Sequence, residues 1–331
     1  MLAPVRYGGN SGLSEGETRS ARLVMAPMMV RQRRLPGPDG CRESPCERCL
    51  APHLDKVGRA VSANEELLFV LPAFPCKSPN PAKVLGGLPD LAEQLALESL
   101  DAVMAEISRT HPPGARLVIG SDGRVFGDVL GLADETITAY QRELRAMMDR
   151  LPHRRVGLVA LDDLPGFAGH THDRARERLD EDYSEDLDVI RERVRAGTDV
   201  GLYRAITRFL FEDGNGPDRR GSRASLQRTA RARAYLMMRR SRAWGDLLVE
   251  RFPDAVRLSI HPQPCGTPKL GVHLAETADA WLTPWHSVAV DLGDRFVLMK
   301  RAEAEAEGAE PVNRDGRPSH LALRRSRLDV A

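Results

Sequence analysis

No apolar run in the chain is long enough to span a bilayer, and the N-terminus lacks the charged, apolar and small-residue succession of a secretory signal. A soluble, cytoplasmic protein with no membrane partner is expected. Charge of one sign is lacking too. A net charge of +1 over 331 residues gives no basic total to point to nucleic acid. The common nucleotide cradles are missing: no G-x-G-x-x-G follows the first predicted strand, and no G-x-x-x-x-G-K-[ST] occurs. No internal repeat is found. The five cysteines are an odd number without a signal peptide, which argues against a disulfide scaffold.

Three of those cysteines, Cys41, Cys46 and Cys49, form "CRESPCERC". This C-x4-C-x2-C spacing overlaps iron–sulfur ligation but lacks an obvious fourth cysteine nearby. Two readings stay open: a zinc site completed by His53, or reduced thiols in a helix-forming segment.

A hydrophobic fraction of 42% suits a globular core of one large or two closely packed domains. Composition divides the chain into a partly disordered N-terminal tail (1–44), a folded core (45–300) and a C-terminal tail (301–331), with one short helix in the first tail around "ARLVMAPMMV". Inside the core, "ELLFVL", "ARLVIG" and "RVGLVAL" read as strands separated by the helical patterns "LPDLAEQLALESLDAVMAEISR" and "DETITAYQRELRAMMDRL". Helices dominate residues 173–250. "AVRLSI", "KLGVHL", "SVAVDL" and "RFVLMK" follow as closely spaced strands. The expected fold is α/β: a Rossmann-like open, mostly parallel sheet, a helical insertion and a C-terminal antiparallel strand section.

Ligands of open α/β sheets bind beyond the carboxyl ends of strands, and polar residues cluster at these exits. The first exit, "LPAFPCKSPNPAKV", holds four prolines with Lys77 and Lys83. It is either a pre-shaped cation pair for phosphate or a rigid surface loop. "SDGRVFGD" offers Asp122 as a base or a mere turn residue, Arg124 as an anion fork, and Asp128. Arg204 and Arg208 share a helix face, solvated or reaching inward to a carboxylate. "SIHPQPCGTPKLGVHL" supplies His261, Gln263 and Lys269, and "WLTPWHSVAV" supplies His286. Either histidine could shuttle protons or simply pack against backbone. Trp281 and Trp285 read as core.

Two further clusters compete with these. His170, His172 and Asp173 in "GHTHD" have a metal-like spacing but no clear fourth ligand. Nine arginines between Arg219 and Arg242 face seven carboxylates between Glu177 and Asp188. Paired faces explain both runs more economically than a nucleic-acid surface.

The blocks "LPAFPCKSPNPAKVLGGLPDLAE", "SDGRVFGDVLG", "GTDVGLYRAITRFLFED", "RLSIHPQPCGTPKLGVHL" and "WLTPWHSVAV" resemble the isonitrile synthases of the pyoverdine/dityrosine biosynthesis family, over about residues 65–300. The resemblance implies conversion of an amino acid's α-amino group into an isonitrile, with ribulose 5-phosphate supplying the carbon through an imine and carbon–carbon cleavage. It implies no nicotinamide, flavin or metal, a large apolar or aromatic amino acid, and a downstream oxygenase as partner. Under it, Asp122, His261, Lys269 and His286 are expected to carry the acid–base work. Lys77, Lys83, Arg124, Asp128, Arg204, Arg257 and Gln263 are expected to bind substrate. Ser287 departs from an expected glycine and could narrow the pocket. The alternatives are an N-formyl product of the same family, or a non-catalytic protein that holds a sugar phosphate or RNA.

Overall fold

The computed structural model describes residues 13–35, 46–217, 219, 221–277, 279 and 281–323. Cys41 therefore lies outside the described residues. The chain opens with α1 (Glu15–Val30) and α2 (Glu47–Ala63). Then β1 (Leu67–Ala73), α3 (Leu91–Thr110), β2 (Ala115–Ser121), α4 (Gly123–Leu130), α5 (Asp134–Met148) and β3 (Val156–Ala160) alternate as the hydrophobic pattern predicts. The helical insertion is α6 (His172–Tyr183), α7 (Leu187–Arg195), α8 (Val200–Gly214) and α9 (Arg223–Arg251). Last come β4 (Val256–Ser259), β5 (Leu270–Gly271), β6 (Val288–Asp291), β7 (Phe296–Met299), α10 (Arg301–Ala306), β8 (Ala309–Arg314) and β9 (Arg317–Leu323).

Five strands form one parallel sheet in the order β3-β2-β1-β4-β5. One face carries Leu67, Phe69, Leu71 and Ala73 of β1 into a core shared with α1, α2, α3 and α5. The other face packs Val70 against α4, α6, α8 and α9 around Trp244. Strand order reverses beside β1, and at such a switch point the crevice outside the strands' carboxyl ends, here those of β1 and β4, is where open α/β sheets bind ligands.

Three expectations change. "AVRLSI" and "KLGVHL" join the parallel sheet as β4 and β5, and only the later strands form a second, mixed sheet, β7-β6-β9-β8. The segment from Arg301, expected to be a tail, forms α10 and supplies β8 and β9 to that sheet. The short N-terminal helix is a 16-residue one, closed by a Ser14–Glu17 capping box, and Ala21, Val24, Met25, Met28 and Met29 bury its inner stripe. Among the described residues no helix is long and apolar enough to cross a membrane.

Two arginines of α9 pair with carboxylates of neighbouring elements. Arg240 bridges Asp128 and Asp180, while Arg242 and Arg193 share Glu185 and Asp199.

Candidate active site

The proline-rich loop after β1 is clamped from below. Lys77 is fully buried, with Nζ 2.9 Å from Asp90 Oδ2, 2.8 Å from Glu93 Oε2 and donating to the Pro284 carbonyl at 3.1 Å. An ammonium has three protons, so no donor is left for a phosphate. Lys77 thus organises the loop instead of facing a ligand. Asp90 and Glu93 are the N-cap and N3 residues of α3, so the ammonium sits where a helix start gathers carboxylates. Tyr140 Oη also donates to Glu93, at 3.1 Å. Burial pushes the Glu93 carboxyl up to about 7, against the pull of Lys77. The neighbouring Cys76 thiol is pushed up by burial to about 12, so it is an inert space-filler.

Above this clamp the loop meets α8 and the Pro284–His286 turn. Asp213 is the hub. Its Oδ1 accepts from Lys83 Nζ at 2.6 Å and Ser78 Oγ at 2.8 Å, and its Oδ2 lies 3.4 Å from His286 Nε2. Burial opposes ionisation of Asp213, but His286 and then Lys83 outweigh it and hold the carboxyl at about 2. The other ring nitrogen of His286 is 3.1 Å from Thr283 Oγ1, and the Phe209 ring meets the imidazole edge-on at 4.8 Å. The same Phe209 face lies 5.8 Å from Lys83 Nζ. The Ser287 hydroxyl turns back to donate to the Thr283 carbonyl at 2.8 Å, so it braces this turn.

The β4 side of the crevice adds His261, Gln263 and Lys269. Gln263 Nε2 donates to Ser259 Oγ and to the His261 carbonyl, each at 3.1 Å, which fixes the loop and not a ligand. His261 is solvent-accessible, yet protein crowds it on most sides. That crowding, with the charges of Arg33, Lys269 and His286, lowers its pKa from the usual imidazole value. Burial and the adjacent Arg257 lower that of Lys269. Trp281, 60% exposed, stands 6.2 Å from the His261 ring, whereas Trp285 is core and packs on Phe74.

Arg33 completes this side, and sequence reasoning missed it. After α1 the chain runs along β5: Arg33 N–H donates to Gly271 O at 2.7 Å, and the Arg33 carbonyl accepts from Gln263 N–H at 3.2 Å. Gly271 is required by this approach, since a Cβ there would stand 2.3 Å from the Arg33 carbonyl. Arg33 is 3% exposed and its guanidinium donates to the Ile260 carbonyl, while Nε and Nη2 have no partner among the described residues. Burial lowers its pKa, and Asp279 partly offsets this. A buried guanidinium with unused donors is a natural anion receptor.

The remaining expected residues lie elsewhere. Asp122 ends β2 next to the loop: a Cβ on Gly123 would stand 1.8 Å from the Pro75 carbonyl. Asp122 makes no side-chain cap bond, its Oδ1 is shielded with no partner among the described residues, and burial raises its pKa to about 7. Arg124 is not available as an anion fork. It is buried and committed to Asp134 at 2.7 Å, Thr138 at 2.8 Å and His172 at 3.3 Å. Asp128 faces Arg240 in the same network. Arg176 and Arg124 hold Asp134 ionised far below its ordinary range, so His172 sits among ion pairs and not at a metal. Arg204 is exposed on α8, and Arg257 is half-buried on β4.

The family model for pyoverdine/dityrosine biosynthesis proteins matches residues 57–312. An L-tyrosine isonitrile synthase from Pseudomonas aeruginosa is 48% identical over 82% of this chain and 83% of its own. The chain belongs to the isonitrile synthases of the pyoverdine/dityrosine family. An L-tryptophan isonitrile synthase from Fischerella ambigua is 39% identical over 88% of each chain. The crystal structure of the PvcA protein from Pseudomonas aeruginosa superposes with a TM-score of 0.85 at 44% identity, covering 92% of this chain and 99% of that one.

Within this isonitrile synthase the blocks that carry the resemblance meet in space. The loop after β1 supplies Ser78 and Lys83, α8 supplies Phe209 and Asp213, and the turn before β6 supplies Thr283 and His286. Asp213 was visible only as the end of "FED". Its role depends on where α8 lies, which no local pattern encodes.

Proposed function

We propose that this enzyme converts the α-amino group of tyrosine or tryptophan to an isonitrile, taking the carbon from the ketone of ribulose 5-phosphate. The observation that carries the reading is the Lys83–Asp213–His286 constellation, with Phe209 against the imidazole, at the strand exits beside His261. The names of the relatives support an aromatic amino acid. Arg33 and Lys269 supply positive potential for a carboxylate and a phosphate, His261, kept neutral by its lowered pKa, offers a hydrogen bond beside them, and Trp281 offers an exposed indole face.

The chemistry assigns work to each group. The amine condenses with the sugar ketone, water leaves, and both carbon–carbon bonds of the former ketone carbon are then cleaved, the one-carbon end departing as formaldehyde and the three-carbon phosphorylated end at the oxidation level of glycerol phosphate, so that the sum is redox-neutral. Those steps need proton transfers at carbon and oxygen. His286 is assigned to them: Asp213 orients the ring from the Nε2 side, and Nδ1 exchanges its contact with the Thr283 hydroxyl for the reacting atom. Asp122, with a pKa of about 7, suits a carboxyl that both gives and takes a proton near neutrality. Lys83 stabilises ionised Asp213 and adds positive charge to the loop. The enzyme in solution is expected to need no nicotinamide or flavin. An oxygenase acting on the isonitrile is the expected downstream partner.

The test uses ribulose 5-phosphate labelled with carbon-13 at the ketone position and a panel of free amino acids. The expected product is a labelled isonitrile, read by mass and by infrared absorption, from tyrosine or tryptophan. An unlabelled isonitrile would refute the carbon source. A labelled N-formyl product would move the enzyme to the formylating alternative.

A further inference from the structure

Cys46, Cys49 and Cys265 come together although 216 residues separate the last two. Cys46 is the N-cap of α2, Cys49 lies in its first turn, and Cys265 lies in the loop between β4 and β5. Sγ of Cys265 is 3.8 Å from that of Cys46 and 3.5 Å from that of Cys49, and all three sulfurs fall within 4.8 Å of one another. Cys46 and Cys49 are buried. His53, which the sequence offered as a ligand, is not in this group: Cys265 takes that place. Cys76 stays apart as well.

We propose that these three thiols bind one zinc ion that staples the start of α2 to the loop carrying His261 and Lys269. The distances fit. In tetrahedral coordination with Zn–S of about 2.3 Å, neighbouring sulfurs are about 3.8 Å apart, whereas a disulfide needs about 2.05 Å. The chemistry fits as well. The C-x2-C spacing places two sulfurs on one helical turn, and the unpaired N–H groups of a helix start favour thiolates. Zinc replaces the thiol protons, leaving three thiolates on the ion and a fourth position filled from outside this group. The ion is structural here, since it braces the backbone of the crevice without entering it. It also secures the N-terminal segment that delivers Arg33 to the same loop.

The experiment is metal analysis of the full chain purified without chelators, followed by cobalt substitution. The expected result is about one zinc per chain. The cobalt form should show the intense absorption of thiolate-to-cobalt charge transfer. Cys265→Ser should lower metal affinity by at least about 10-fold, the scale on which losing support to a metal site acts, while Cys76→Ser should leave it unchanged. Chelation should lower the thermal midpoint of the wild type and not of Cys265→Ser. The cobalt spectrum of the wild type decides the matter even if a serine variant fails to fold. A protein that holds no zinc and gives no thiolate–cobalt band overturns the proposal, and so does a native disulfide within the trio.

Discussion

Replacing Lys77 by methionine tests the difference between a clamp and a ligand. The change keeps most of the side chain's volume and removes the charge. It leaves Asp90 and Glu93 facing each other in a buried pocket, with the Pro284 carbonyl unbonded. Breaking a buried pair from one side costs about 3–5 kcal/mol. At an unfolding entropy of about 2.1 cal/mol/K per residue, that loss lowers the melting temperature by about 6 °C for a chain of this length. Differential scanning fluorimetry at pH 8 reads it directly. The deficit should shrink as pH falls. Without the lysine the orphaned carboxyls bind protons more tightly in the folded than in the unfolded chain, so acid favours the folded variant. Adding Glu93→Gln should recover part of the loss by removing the surplus negative charge. A variant melting within a degree of the wild type, with weakened sugar-phosphate binding alone, would refute the clamp and return Nζ to the substrate.

Asp213→Asn should abolish most turnover. It should also remove the stability that a carboxyl held at about 2 contributes, roughly 2 kcal/mol. In the wild type that contribution is present above the ordinary carboxyl pKa and is lost as pH falls toward 2, so the stability gap between wild type and variant should close over that acid range while the variant's own profile stays flatter. Asp122→Asn should raise the melting temperature at pH 8. A carboxyl pushed up to about 7 by burial destabilises the fold as pH rises from about 4 to 7, and the amide removes that slope; an unchanged pH–stability curve would contradict it. Arg33→Met should raise the KM for one anionic substrate by about 10-fold or more, the scale of a charge-assisted hydrogen bond, with kcat less affected. Steady-state kinetics with each substrate varied in turn identifies which anion it holds.

The parallel sheet was legible because β1, β2 and β3 are short apolar runs between periodic helices, and the exits followed from the strands. The direction of β4 and β5 was not legible. Both are short, and only their contacts with β1 and with the Arg33 segment define them. Arg33 was hidden in a stretch whose glycine, proline and arginine content resembles a tail, since its order comes from pairing with Gly271 and Gln263 far along the chain. Lys77 was correctly marked as unusual but placed on the wrong side of its loop, because Asp90 and Glu93 look like an ordinary helix cap until the loop folds over them. One signal was available and unused. Asp315 and Gly316 have φ of 52° and 77°, and an Asp-Gly pair between short apolar segments announces the β8–β9 hairpin.

Arg301, at the start of α10, donates to the Pro81 carbonyl at 2.8 Å and the Val84 carbonyl at 2.9 Å. The loop that bears Lys83 is therefore held from a point 217 residues further along. During synthesis the parallel sheet can collapse before Arg301 has emerged, but that loop then lacks its outer brace. Catalytic competence should appear only once α10 has joined, after most of the core is already protected from proteases. A stalled chain ending before Arg301 would be largely folded and without activity.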